Sequence, residues 1–217
     1  MAIQKRVIVC PLDWGLGHAT RCVPVIRELT KRGAQVFIAS SGGALELLRQ
    51  EFPQLVFFEF PSYDPVYQGK GSMSFSMILQ LPKFRKVIEE EHVVLERLIQ
   101  ENKIDIVISD NRYGCWTSSV KSVFITHQVN LLMPKGFIWM SPGVNHLLHQ
   151  YIKKFSQVWI PDMPEAELTK PFTSRSVPNQ KYIGWLSRFE GSRPVKQQFD
   201  ILALVSGRNP SDPCLRK

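Results

Sequence analysis

The sequence lacks several features that would assign it to particular classes of protein. None of its apolar runs approaches the ~20 residues that cross a membrane, and its N-terminus has neither the apolar core nor the cleavage site of a signal peptide. It has only four cysteines, and none of them lies at Cys-x-x-Cys or zinc-ligand spacing. We therefore predict a cytoplasmic protein with reduced thiols.

Acidic residues are also few, since 19 Asp and Glu stand against 27 Lys and Arg, giving a formal net charge of +8. This excess favours anionic partners such as nucleotide sugars, lipid diphosphates or an acidic membrane face. The basic residues are spread along the chain without a nucleic-acid-binding motif, so we predict no nucleic-acid partner. No Asp-x-Asp pair or histidine cluster has ligand spacing, and no metal is expected.

The sequence does contain short β-branched apolar segments that alternate with helical patterns. Short turns join them, which indicates βαβ units with right-handed crossovers. We therefore predict an α/β, Rossmann-like, three-layer domain with a mostly parallel sheet. The segments with strand character are 7–10, 35–40, 55–60, 104–109, 122–126 and 157–160.

A glycine-rich turn, Gly-Leu-Gly-His at residues 15–18, follows the first of these strands. The dinucleotide fingerprint G-x-G-x-x-G is incomplete, because Thr20 occupies the place of its last glycine. Pro24 fits most easily into a first helical turn, so we predict that the helix begins near residues 21–23 and that an open loop with unpaired amides precedes it. Such amides face a bound anion in other proteins. His18 would then lie at an anion site, or it would merely cap the helix or hydrogen-bond a neighbouring strand.

Two further polar segments follow predicted strands, Asp-Asn-Arg-Tyr-Gly at 110–114 and His-Gln-Val-Asn at 127–130. Doubly wound sheets bind ligands at the carboxyl ends of their strands. The alternative for the first segment is that Asp110 or Asn111 caps a following helix while Arg112 makes a structural ion pair.

Two less regular stretches lie between the third and fourth strands. A loop at 61–74 sits at the same edge of the sheet, and a long helical pattern covers 75–102. We expect this helix to bend or break at Pro82, because proline disrupts a helix interior.

The run from Gly15 to Leu29, which includes Pro24, resembles the first loop of GT-B glycosyltransferases of the MurG-like group. The variant Gly-His-x-x-Arg at 17–21 also resembles nucleotide-sugar hydrolases related to that group. The segments 109–114 and 126–130 are similar to segments of the same proteins, although His127 stands where the group often has Glu. Residues 181–188 resemble the Tyr-Ile-Gly-x-Leu segment that leaves the first domain for the second.

The resemblance implies that the chain is the first half of a two-domain GT-B architecture. Residues 1–190 would form the N-terminal, acceptor-side domain. Residues 191–217 would hold the linker and the start of a truncated C-terminal donor domain, and we expect this chain to be inactive alone.

The resemblance also implies an inverting, metal-independent transfer of sugar from a nucleotide sugar to a sugar or lipid-linked acceptor, with no cofactor. His18 would be the catalytic base, for which the ordinary histidine pKa of about 6.5 is suitable. The expected substrate-binding residues are Gly15, Gly17, Arg21, Asp110, Asn111, Arg112, His127, Gln128 and Asn130.

Two alternatives stay open at this point. A nucleotide-sugar hydrolase would use His18 to activate water, and a non-catalytic domain would only bind an anion or a partner. The apolar segment 131–140, interrupted by proline and glycine, is either a core-facing loop or a patch that contacts the inner membrane face or a lipid tail. In the second case Lys135, Lys153 and Lys154 would lie near anionic head groups. The oligomeric state is left open.

Overall fold

The computed structural model describes residues 4–64, 80–131, 133, 135–164 and 177–189. Within these ranges, seven parallel strands form one sheet in the order β3-β2-β1-β4-β5-β6-β7. This arrangement confirms the predicted α/β, Rossmann-like domain. In chain order the elements are β1 (Arg6–Pro11), α1 (Leu16–Lys31), β2 (Gln35–Ser40), α2 (Gly42–Glu51), β3 (Val56–Glu59), α3 (Leu81–Asn102), β4 (Ile106–Asp110), β5 (Lys121–Ile125), a 3₁₀ helix (Lys135–Met140), α4 (Ser141–Ile152), β6 (Gln157–Ile160) and β7 (Gln180–Tyr182).

The central strands are buried along almost their whole length, as expected for a parallel sheet covered by helices on both faces. Alternate residues of each strand therefore enter two different cores. Val7 and Val9 of β1 pack with α1 and α2, whereas Ile8 packs with α3 on the opposite face. Phe124 of β5 packs with α4. None of the helices in these ranges is both long and apolar enough to cross a membrane.

The carboxyl ends of β1, β4 and β5 meet at one edge of the sheet. Pro11 of β1 pairs with Asp110 of β4, which in turn pairs with Ile125 of β5. One backbone bond beyond each strand extends this pairing, from the Leu12 N–H to the Asp110 carbonyl (2.9 Å) and from the Asn111 N–H to the Ile125 carbonyl (3.2 Å). The polar segments that follow these strands are thus held side by side.

Helix α1 begins at Leu16, so the predicted start near residues 21–23 is wrong. Gly15 is the N-cap, with φ 76°, and Pro24 lies inside the helix. An internal proline costs about 3 kcal/mol, because it has no N–H for the carbonyl four residues earlier. Four side chains of α1 are buried against the sheet, and each buried valine or isoleucine contributes about 1.5–3 kcal/mol, which offsets that cost. They are Ala19, Cys22, Val23 and Ile26.

Two other expectations about helix ends also need correction. Helix α3 is not broken at Pro82, which lies in its first turn, where a missing N–H costs little. No helix follows β4 in residues 111–120, and β5 is the next element, so neither Asp110 nor Asn111 caps a helix. Residues 65–74 of the predicted loop (61–74), residues 75–79 of the predicted helix (75–102) and the domain boundary after residue 190 lie outside the described residues.

The apolar segment before α4 is not a core-facing loop throughout. Its 3₁₀ helix exposes Ile138 and Trp139, the latter to 77%, and Leu147 of α4 is half exposed as well. A membrane or lipid contact for this surface stays a prediction.

A buried ion pair fastens α3 to the loops at the edge of the sheet. Arg112 and Glu91 are fully buried and paired, as the structural alternative for Arg112 predicted. The same guanidinium donates from Nε to the Pro11 carbonyl (2.9 Å) and from Nη1 to the Pro61 carbonyl (3.0 Å). It also donates to the Ser41 hydroxyl at 2.7 Å. A buried charge pair is tolerated only when its remaining hydrogen-bonding groups are largely engaged, and these contacts engage all three nitrogens of the guanidinium.

Replacing Gly114 by alanine should destabilise the fold. An added Cβ would lie 2.6 Å from the Cβ of Glu91 and would also meet the Ile88 carbonyl. Overpacking of this kind costs about 1–3 kcal/mol, to be measured as the free energy of unfolding in urea. Gly143→Ala is the matched control, since its Cβ would have no neighbour within 4 Å. Equal stabilities for the two variants would contradict the close packing at Gly114.

Candidate functional site

The candidate site is built around the carboxylate of Asp110, the last residue of β4, which is fully buried. Its Oδ2 accepts a hydrogen bond from Nε of Arg21 at 2.7 Å, and its Oδ1 accepts one from Nη2 of the same residue. Oδ1 also lies 3.0 Å from Nδ1 of His18. The thiol of Cys22 donates to Oδ2 at 3.6 Å. One carboxylate thus receives three side chains of α1.

Helix geometry explains why α1 supplies several of these groups. Residues three apart lie on the same helix face, so His18 and Arg21 reach Asp110 together. Both side chains keep about one sixth of their surface exposed. Nη1 of Arg21 donates to Nδ1 of His127 at 3.0 Å, and His127 follows β5. The cluster therefore joins three elements at the edge where β1, β4 and β5 end.

The surroundings of this cluster fix the charge of most of its members. Burial alone would raise the pKa of Asp110, but hydrogen bonds and charges from His18 and Arg21 hold it below its ordinary value. Burial lowers the pKa of His127, and the charge of Arg21 lowers it further. At neutral pH, Asp110 is therefore ionised and His127 neutral. Burial and the neighbouring carboxylate raise the pKa of Cys22 well above its ordinary value, so it stays a thiol.

The two predicted glycines lie at the start of α1 rather than in an open loop. The φ of 76° at position 15 is one that glycine adopts without strain, whereas Gly17 lies in the first turn and is exposed. Beside them opens a cavity of about 500 Å³. Its lining residues are Leu16, Gly17, Thr20, Arg21, Leu47, Leu186, Ser187, Arg188 and Phe189.

The other predicted site residues differ in how closely they approach the cluster. Asn111 is next to Asp110, has φ 56°, and its buried Oδ1 has no hydrogen-bond partner in the described part of the chain. Gln128 is half-buried and Asn130 buried, both in the segment after β5. Arg112 lies apart, with its guanidinium buried and engaged by protein groups, so we expect it to support the loops rather than contact a substrate.

Two features of the site were missed by the sequence analysis. Asp110 was expected to contact a substrate. The sequence analysis allowed His18 to bond a neighbouring strand, but which residue it meets depends on β1 and β4 being neighbours in the sheet. Asp13, in the loop after β1, is also nearly buried and accepts hydrogen bonds from Ser41 (2.8 Å) and Ser62 (2.5 Å). The one feature of the sequence that could have indicated Asp13 is its position between a predicted strand and a glycine turn.

The fold is that of known glycosyltransferases. The glycotransferase of kitacinnamycin matches 92% of this chain with 55% of its own, at 15% identity and a TM-score of 0.57. UGT2 of Phytolacca americana, solved with UDP-2-fluoro-glucose and pterostilbene, matches 82% with 53% of its own, at 14% identity and a TM-score of 0.52. MurG of Acinetobacter baumannii matches 75% with 42% of its own, at 11% identity and a TM-score of 0.45.

The first two of these matches confirm the predicted GT-B type of fold, and at such low identities they show the fold alone. The chain spans about half the length of the solved glycosyltransferases that it matches. No protein-family model matches it, and neither does any curated protein sequence.

Replacing Asp110 by asparagine should destabilise the protein most at neutral pH. Removing one partner of a buried ion pair costs about 3–5 kcal/mol. Because its pKa is lower in the folded state, the carboxylate stabilises the fold fully above its unfolded pKa of about 3.9 and loses that contribution as pH falls through the folded value.

Urea unfolding of wild type and Asp110→Asn at several pH values measures this dependence. The difference in the free energy of unfolding should shrink as the pH is lowered from 7 through the acidic range. A difference that stays constant with pH would contradict an ionised, paired Asp110.

Proposed function

We propose that this chain forms the acceptor-side half of a GT-B glycosyltransferase and that His18 is its catalytic base. The observation that carries the proposal is the 3.0 Å contact between Nδ1 of His18 and the buried carboxylate of Asp110. It lies at the ligand-binding edge of a sheet whose fold matches glycosyltransferases. A histidine whose Nδ1–H is held by a carboxylate presents Nε2 as the base.

In the proposed reaction, Nε2 of His18 takes the proton of an acceptor hydroxyl. The acceptor oxygen forms a bond to the anomeric carbon while the bond from that carbon to the nucleoside diphosphate breaks. Attack from the side opposite the leaving group inverts the anomeric centre. The proton ends on the imidazole, and the ionised Asp110 stabilises the resulting imidazolium.

The donor in this proposal is a nucleotide sugar and the acceptor is a sugar or a lipid-linked hydroxyl compound. The UGT2 structure, which holds a UDP-sugar analogue and pterostilbene, supports this general pairing of substrates. Arg21 and Arg188 line the cavity beside the first turn of α1, and both would favour the negative charge of a diphosphate. We further propose that most donor contacts come from a second domain, and that metal is not needed.

Substitution of His18 by glutamine should remove most of the activity without unfolding the protein. General base catalysis contributes about 10²- to 10⁴-fold, so kcat/KM should fall by that factor. His146→Gln is the matched control, because His146 is exposed on α4 and away from the cluster. The assay follows nucleoside diphosphate release and product mass with the complete product of the gene, over a panel of nucleotide sugars and acceptors.

The products decide between this function and its alternatives. Free sugar formed equally with and without acceptor would identify a hydrolase in which His18 activates water. Binding of nucleotide sugars with no turnover would identify a binding domain. Unchanged transfer by His18→Gln would contradict the assignment of the base.

A further inference from the structure

The nitrogen Nδ1 of His18 has two neighbours that compete for it. Oδ1 of Asp110 lies at 3.0 Å and Nη2 of Arg21 at 2.7 Å. Toward the carboxylate the nitrogen must donate a proton, whereas toward the guanidinium it must accept one. A neutral imidazole does one or the other at a single nitrogen. The geometry therefore defines two hydrogen-bond states of His18.

Only one of these two states leaves Nε2 free to act as a base; the other, called the non-basic state below, has its lone pair on Nδ1. When Nδ1 donates to Asp110, Nε2 has a free lone pair and accepts a proton. When Nδ1 accepts from Arg21, the proton of the neutral ring sits on Nε2, which is then a donor. The contact between Arg21 and His18 thus opposes the role that the proposed reaction requires.

The charges around the ring also oppose the proposed role of His18 as a base. The groups near His18 are Asp110 of β4, Arg21 of α1 and the neutral His127 after β5, while the thiol of Cys22 contacts Asp110. Since Arg21 pairs with both oxygens of Asp110, their charges cancel. A proton taken up by His18 would leave the cluster with a net positive charge inside a partly buried site.

An anion beside Arg21 would remove both the competing contact of Nη2 with His18 and the excess of positive charge. Arg21 is the one member of the cluster that also lines the cavity, where Gly17, Thr20 and Arg188 surround it. A phosphate group there would compete for Nη2 and add the negative charge that the cluster lacks. Nε of Arg21 would still hold Asp110 through Oδ2.

We propose that Arg21 is a positioning residue that keeps His18 in its non-basic state until a phosphate-bearing donor binds in the cavity and draws Nη2 away. This inference rests on the proposed function and adds an order of events to it. The base forms only after the donor has bound. A water or acceptor that enters the site first meets a histidine that cannot take its proton.

The two ring nitrogens report these states directly in two-bond ¹H–¹⁵N correlation spectra of the chain. Protonated and unprotonated ring nitrogens differ strongly in ¹⁵N chemical shift, and His18→Gln and His127→Gln assign the signals. Without ligand, His18 should carry its proton on Nε2. Addition of inorganic pyrophosphate should move the proton to Nδ1, whereas sodium chloride of equal ionic strength should not.

Variants of Arg21 separate its effect from that of the fold. Arg21→Gln should carry the His18 proton on Nδ1 from the start and should not respond to pyrophosphate. Arg32→Gln is the matched control at the far end of α1, where Arg32 is exposed and pairs only with Glu28 among the described residues. It should behave as wild type. If Arg21→Gln fails to fold, Arg21→Lys keeps the charge but loses the bidentate fork, and should weaken the response.

Three results would overturn the inference. They are a wild-type His18 already protonated on Nδ1 without ligand, a wild-type ring that ignores pyrophosphate, and an Arg21→Gln ring that matches wild type. The transfer assay is scored separately. Transfer with an unresponsive ring would refute the inference and leave the function, whereas a responsive ring without turnover would refute the function and leave the anion-dependent switch.

Discussion

The structure depends on one buried negative charge, the carboxylate of Asp110. Removing a carboxylate from water costs several kcal/mol unless it is fully paired. Arg21 supplies that pairing from α1, His18 lies within hydrogen-bond distance, and Cys22 adds a weak donor from the same helix. Because these side chains must reach Asp110, the rotation of α1 about its axis is fixed. The same rotation buries the apolar residues of α1 against the sheet.

A second buried charge lies at the same edge and has a different role. The pair of Arg112 and Glu91 is closed to solvent, and its donors are taken up by backbone carbonyls and a serine hydroxyl. The cluster of Asp110 has three partly exposed members, His18, Arg21 and His127, and borders a cavity. The fully buried pair of Arg112 and Glu91 holds loops in place, whereas the partly exposed cluster of Asp110 is accessible to a ligand.

The sequence was sufficient to predict the α/β fold and six of the seven strands, but not the short strand β7. It also indicated the edge of the sheet that we propose as the site. Continuous β-branched segments mark buried parallel strands, and polar residues directly after them must fall at the carboxyl edge. It was not sufficient to predict which side chains contact each other at that edge. The contact of Asp110 with His18 requires β1 beside β4, a neighbour relation that local pattern does not contain.

The roles of single side chains were harder still to predict. Arg112 and Arg21 look alike in the sequence, as arginines near a glycine turn, yet one is sealed against Glu91 and the other borders the cavity. The start of α1 was misjudged because Pro24 is a strong local signal. Burial of four side chains on the sheet outweighs it, and that burial is a property of the tertiary structure.

Pro24 weakens the backbone connection between the first turns of α1 and the rest of the helix. Having no N–H, it offers nothing to the carbonyl of Thr20, so the first turns are joined to the rest of the helix by one hydrogen bond fewer. The turns before it carry His18 and Arg21 of the candidate site as well as Val23 of the core. Residues of the site and of the core thus alternate along the same turns, so a change that shifts these turns alters the candidate site and the packing of the domain together.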